Sequence, residues 1–303
     1  MIAVIGGANM DIGGFPSGLC AMGDSNPGRI RMSAGGVGRN IACALARLGV
    51  ETQLVTALGG DAFAEALRRD CEACGVGLEH ALSFPNAASS AYLFISDPSG
   101  DMRLAVNDMA ICQRLTPEAL ADKLAALNGM DAVVLDANLP EATLRYLAER
   151  LTVPLIADAV SAAKVRRLKP ILPRLWALKP NALEAAALTE LPVGDDDAVA
   201  CAARRLHALG LPRAFITLGE RGACCMERGE THFLPAPPVR MVNATGAGDA
   251  FTAAIAWAFL RGFDARQTCA AGLAAAAIAV ESEATVSPDL TEAALLQRMR
   301  SAC

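Results

Sequence analysis

The segment Val242-Asn243-Ala244-Thr245-Gly246-Ala247-Gly248-Asp249-Ala250-Phe251 sets a glycine-rich turn directly before an alanine-rich stretch of helical pattern. Such a turn aims unpaired backbone N–H groups outward, and the helix dipole adds positive potential at the same place, which predicts an anion site. Asp249 brings like charge to that site. It makes chemical sense as a general base beside a transferring phosphoryl group. A loop closed by an aspartate at a helix N-cap is the plainer alternative. A second run, Gly35-Gly36-Val37-Gly38-Arg39-Asn40, combines glycines that let a ligand approach the backbone with an amide able to donate to and accept from a hydroxyl. It does not fit a dinucleotide fingerprint: the sixth position from Gly36 is Ile41, and no acid-bearing strand follows at the expected offset.

The elements that must position these residues alternate along the chain. Apolar strands are predicted at Ile2–Ile5, Thr52–Ala57, Ala132–Leu135, Val153–Ala157, Leu175–Leu178 and Ala214–Thr217. Helices are predicted over Asn40–Leu48, Asp61–Cys74, Pro117–Leu127, Glu141–Leu151, Glu184–Leu188 and Ala198–Leu209, then over Ala247–Leu260, Ala265–Glu281 and Leu290–Met299. Alternating apolar strands and helices mean an α/β fold with a mostly parallel sheet covered on both faces. Segments 11–33 and 89–106 are strand-like and rich in turn residues, with Asp97-Pro98-Ser99-Gly100 as a hairpin turn. They do not belong to that layer and read as a small β appendage inserted into one domain spanning residues 1–303.

Composition narrows the chemistry. Of 303 residues 53% are hydrophobic and 19% charged, enough for a large core. Aromatics are 4% and the net charge is -5, so neither a base-stacking surface nor a basic face for nucleic acid is expected. The only lysines are Lys123, Lys164, Lys169 and Lys179; none follows a glycine, which excludes a Walker A loop. No apolar run reaches the roughly 18 residues of a membrane span. The N-terminus does not read as a signal peptide, and ten cysteines in a chain of this length do not resemble a disulfide framework, so a reducing cytoplasm is expected. Cys71 and Cys74 form a lone CxxC, read as two small apolar residues of an amphipathic helix because no second pair stands at zinc-site spacing.

Taken together and in this order, the two glycine segments resemble the two signatures of the ribokinase-like (PfkB) carbohydrate kinases. The resemblance extends through Asn9-Met10-Asp11, Lys179-Pro180-Asn181 with Glu184, and Thr217-Leu218-Gly219 with Gly222. It implies a ribokinase-like three-layer α/β/α domain whose β appendage is a lid over the acceptor. It implies Asp249 as the base and Gly246, Ala247 and Gly248 as an anion hole. Asn9, Asp11, Gly35, Gly36 and Asn40 would bind the acceptor. Asn181, Glu184, Thr217, Gly219 and Gly222 would border ATP, with Glu184 reaching Mg²⁺ through water. Many family members carry Asp where this chain has Asn243, and that Asp helps bind a monovalent cation; here the implied K⁺ site rests on Asn243 and Thr245. A homodimer formed through the lid is also implied.

Several segments resemble the pseudouridine kinase branch of the family: residues 6–12, 24–28, 35–42, Ala105-Val106-Asn107-Asp108-Met109 and 158–164. That resemblance implies ATP-dependent phosphorylation of the 5′-hydroxyl of pseudouridine. Asn107 and Asp108, with Asn9, Ser25 and Asn26, are the polar groups available to its base. A kinase of another nucleoside or pentose, or a nucleoside-binding regulator without catalysis, are the alternatives.

Overall fold

In this computed structural model the described residues are 1–97, 99 and 101–301. Pro98 and Gly100 of the expected hairpin turn lie outside them. The strands are β1 (Ile2–Ile5), β2 (Asn9–Pro16), β3 (Gly28–Gly35), β4 (Thr52–Val55), β5 (Ala57–Leu58), β6 (Leu82–Ser83), β7 (Ala91–Ser96), β8 (Met102–Asp108), β9 (Ala132–Asp136), β10 (Leu155–Asp158), β11 (Leu175–Lys179), β12 (Arg213–Thr217), β13 (Ala223–Glu227) and β14 (Glu230–Leu234). The α-helices are α1 (Val37–Arg47), α2 (Ala62–Ala73), α3 (Pro117–Leu120), α4 (Leu124–Asn128), α5 (Glu141–Arg150), α6 (Ala182–Thr189), α7 (Asp196–Ala208), α8 (Ala247–Leu260), α9 (Ala265–Val280) and α10 (Glu292–Ser301).

The main sheet has the order β14-β13-β12-β11-β10-β9-β1-β4. From β4 to β12 the neighbours are parallel, and β13 and β14 close one edge as antiparallel strands. Successive residues of each strand serve opposite faces. Val4, Leu54, Val134, Ile156, Phe215 and Cys225 pack with α1, α8 and α9, whereas Ile5, Val55, Leu135, Leu178, Ile216 and Cys224 pack with α5, α6 and α7. The adjacent Cys224 and Cys225 thus face different layers. Burial on both faces explains why β1 and β9 read as unbroken apolar runs.

The strand-like segments form a second sheet of order β3-β2-β7-β8. β2 pairs antiparallel with β3 and parallel with β7, and β7 pairs antiparallel with β8. Its outer strands are largely exposed. One expectation changes in detail, and one element was not anticipated. The helix predicted over 117–127 is split into α3 and α4 by a 3₁₀ turn, Ala121–Lys123. A 3₁₀ segment, Val165–Arg174, follows β10; Pro170 and Pro173 inside it lack the N–H donors an α-helix would need. Among the described residues no helix is long and apolar enough to cross a membrane.

Candidate active site

Three neighbouring parallel strands end on charged residues: β9 on Asp136, β10 on Asp158 and β11 on Lys179. All three are buried at the carboxyl end of the sheet, where open α/β folds bind their ligands. Lys179 Nζ lies 2.9 Å from Asp158 Oδ2, and Thr252 Oγ1 of α8 donates to the same oxygen at 2.6 Å. Burial alone would lower the pKa of Lys179; the carboxylates of Asp158 and Glu184 reverse this and hold it above the usual range. Asp136 accepts from the Gly7 N–H (2.8 Å), the Asn138 N–H (2.9 Å) and Asn138 Nδ2 (3.0 Å). Lys164 Nζ donates to Asn138 Oδ1 at 2.6 Å. The charges of this floor are therefore paired or enclosed by donors.

The start of α8 lies over that floor. Gly246 has φ +84°, and a Cβ there would come within 2.0 Å of the Thr285 carbonyl oxygen, so the turn requires glycine. A Cβ on Gly248 would lie 2.9 Å from Lys179 Nζ, which places the ammonium against the first turn of the helix. Asp249 is half-buried in that turn, and Asn40 Nδ2 of α1 donates to its Oδ2 at 2.7 Å. Burial, and then the nearby Asp158 charge, push the Asp249 carboxyl up to about 7, against the opposing effects of Asn40 and Lys179.

β2 and β3 bring the expected acceptor residues to the same place. Asn9 Nδ2 donates to Asp11 Oδ1 at 2.5 Å. The Asp11 carboxylate covers Gly35, where a Cβ would stand 2.2 Å from Oδ2. Gly36 packs on the turn between β1 and β2, close to the Gly7 carbonyl. Arg39 is buried beneath: its Nη1 donates to Asn40 Oδ1 at 2.9 Å, which fixes the amide so that Nδ2 faces Asp249.

On the other side of α8 a cavity of about 690 Å³ opens, lined by Thr217, Gly219, Gly222, Ala247, Gly248 and Leu273 among others. Asn181 and Glu184 do not line it, but a strand bridge joins Asn181 to the lining residue Thr217. They form a capping box on α6: the Asn181 N–H donates to Glu184 Oε2 (2.7 Å) and the Glu184 N–H to Asn181 Oδ1 (2.9 Å). Glu184 is only 4% exposed, and burial raises its pKa.

Other expected residues stand apart from this centre. Asn243 accepts from the Thr245 N–H at 3.0 Å and donates to the Glu283 carbonyl at 3.2 Å, so its side chain builds its own loop. Asn107 and Asp108 are exposed on β8, and Asp108 Oδ1 accepts from the Ala110 N–H at 3.1 Å. The strand does lead toward the site, since Met109 Cε approaches Gly7. Asn26 bonds the backbone of residues 21 and 24, leaving little of it for a ligand. Motif reading passed over Asp136, Asp158 and Lys179 as site residues. Their signal is a single charge closing an apolar strand, in Val133-Val134-Leu135-Asp136, Leu155-Ile156-Ala157-Asp158 and Trp176-Ala177-Leu178-Lys179.

Known proteins share this fold and sequence pattern. The pfkB family of carbohydrate kinases matches residues 1–292. The chain is 32% identical to the pseudouridine kinase of Escherichia coli (strain K12), over 99% of this chain and 97% of that one. Among solved structures, a carbohydrate kinase from Agrobacterium tumefaciens superposes with a TM-score of 0.88 at 32% identity, covering 99% of this chain and 96% of that chain. Arabidopsis thaliana ribokinase complexed with ribose and ATP superposes with a TM-score of 0.89 at 25% identity, covering 99% and 98%. The chain belongs to the pfkB family of carbohydrate kinases, enzymes that move a phosphoryl group onto a sugar or nucleoside hydroxyl.

Proposed function

We propose that the enzyme transfers the γ-phosphoryl group of ATP to the 5′-hydroxyl of pseudouridine, giving pseudouridine 5′-phosphate and ADP. The observation that carries the transfer is Asp249 at the first turn of α8, between the Asn40 amide and the cavity that Ala247 and Gly248 line. The similarity to the Escherichia coli pseudouridine kinase supports the choice of acceptor.

In this reading ATP occupies the cavity, with Thr217, Gly219 and Gly222 along its border. Asn9, Asp11, Gly35, Gly36 and Asn40 hold the ribose. Asp249 takes the proton of the 5′-hydroxyl as that oxygen bonds to the γ-phosphorus and the bond to the β–γ bridging oxygen breaks. The N–H groups at Gly246, Ala247 and Gly248 and the Lys179 ammonium meet the charge on the transferring group. Mg²⁺ fits beside Glu184, whose buried carboxylate has one oxygen on the Asn181 N–H and lies within electrostatic reach of Lys179. The ion supplies charge neutralisation on the phosphates, and Glu184 would hold it through water while Asn181 orders the loop. Asn243 and Thr245 are the residues for a K⁺ ion, with the Asn243 carbonyl already engaged inside its loop.

The second sheet acts as a lid that keeps water from the phosphoryl group. One of its faces exposes Ile30 (77%), Met32, Leu93, Leu104 and Val106, and a second copy of the chain covers them in a lid-to-lid homodimer. The described cysteines are all free thiols, which suits a reducing cytoplasm.

An ATP-consumption assay over pseudouridine, uridine, adenosine, ribose and fructose tests the reading. Pseudouridine should give the highest kcat/KM, with the phosphate on the 5′-oxygen of the product. A higher value for another nucleoside or for ribose would replace the acceptor and keep the chemistry. Binding of one of them without turnover would mark a regulator instead.

A further inference from the structure

We propose that Cys43, Asp70 and Cys74 form a binding site for one thiophilic divalent cation, with Zn²⁺ the best fit, away from the phosphoryl-transfer centre. Cys43 projects from α1, and Asp70 in the last turn of α2 stands one turn before Cys74, the C-cap of that helix. One ligand atom from each lies within 4.8 Å of the other two. Two thiolates bound to one zinc ion at about 2.3 Å stand roughly 3.8 Å apart in tetrahedral geometry, so closure needs side-chain shifts of about 1 Å or less. Cys71 lies beside Cys43 and is the nearest further sulfur donor.

The surroundings fit a cation of this kind. Cys43 is buried, whereas Asp70 and Cys74 are half-exposed and leave an entry path. Arg39 is buried and paired with Asp70, the outer-shell hydrogen bond that a ligating carboxylate normally receives. On binding, the two thiols release their protons to solvent and two metal–sulfur bonds form; no oxidant takes part. Two thiolates, one carboxylate, a dication and the Arg39 guanidinium then carry no net charge, which makes the cluster compatible with its partly buried position. The CxxC alone lacked a partner pair in the sequence. The fold supplies the second cysteine ligand, Cys43, from the preceding helix.

Cobalt titration of the reduced, metal-free protein tests the proposal. Co²⁺ bound to thiolates gives an intense near-ultraviolet sulfur-to-metal band that an oxygen-ligated Mg²⁺ site cannot give. The expected result is a band saturating at one Co²⁺ per chain and bleached by Zn²⁺. It should weaken at least tenfold in affinity in Cys43→Ser, Cys74→Ser and Asp70→Asn, and persist in Cys201→Ser, an exposed cysteine on α7. Should Cys43→Ser fail to fold, the half-exposed Cys74→Ser and Asp70→Asn decide alone. Absence of the band overturns the proposal, as does a band unchanged in Cys74→Ser, which would place the metal on other cysteines. A Cys43–Cys74 disulfide in protein purified without reductant, together with no cobalt binding after reduction, overturns it in favour of a thiol pair.

Discussion

The floor of the site and the first turn of α8 lie against each other but treat charge in opposite ways. In the floor, Asp158 has Lys179 at 2.9 Å and Thr252 at 2.6 Å, and Asp136 accepts three hydrogen bonds. In the turn, the one side-chain hydrogen bond to Asp249 among the described residues comes from the Asn40 amide, and its pKa is pushed up to about 7. Paired charges give a fixed electrostatic frame. A carboxylate left underpaired beside that frame takes up a proton near neutral pH, which is what a general base requires.

The contrast can be broken first at Asp249. Asp249→Asn should lower kcat by about 10³-fold or more while nucleoside and ATP binding persist, measured by single-turnover kinetics and calorimetry. Because the folded pKa lies above the unfolded value of 3.8, ionisation of Asp249 costs stability as pH rises from about 4 through 7. The same variant should therefore melt higher than the parent at pH 8 and level with it below pH 4. In the parent enzyme, kcat/KM should fall as pH drops below about 7.

Breaking the floor tests the other half. Lys179→Met strands Asp158 in a buried site and should cost about 3–5 kcal/mol in a denaturant titration. If the cost is below 1 kcal/mol, the pair is not what keeps the floor in place. Asn40→Ala sharpens the comparison. It removes a hydrogen bond to a charged group, worth about 1.5–3 kcal/mol, so kcat/KM should fall on the order of 10–100-fold. That bond lowers the Asp249 pKa, so its loss should move the acid limb of the pH profile to higher pH. The smallest effect is expected in the lid: Asn107→Ala should raise KM for pseudouridine about two- to tenfold and leave KM for ATP unchanged. An unchanged KM for pseudouridine would remove Asn107 from the base contacts.

How much of this was readable beforehand follows from the range of the interactions. The bounds of α8 were legible because a glycine turn and an alanine-rich run are local signals, and the helix spans Ala247–Leu260 as expected. The contact between Asn40 and Asp249 joins two segments that composition cannot connect; only the family resemblance brought them together. Asp136 and Asp158 were not legible as site residues, since one acid after an apolar strand reads like an ordinary strand end. Glu230–Leu234 went unread because it is an edge strand with little burial to print a pattern. Val165–Arg174 gives no clear signal for a different reason: its apolar residues suggest a helix and its two prolines forbid the α form. The CxxC spacing marks the end of one helix but carries no sign of the thiol on α1.

Arg39 carries one further consequence. Its Nη1 donates both to the Ala34 carbonyl, at the end of β3, and to Asn40 Oδ1, on the amide that meets Asp249. Any shift of β3 that strains the first bond also changes the support of the amide that touches Asp249. The position of the second sheet and the proton on Asp249 are then two variables of one equilibrium. By reciprocity, the free energy by which a shift of that sheet alters the proton affinity equals the free energy by which losing that proton biases the sheet.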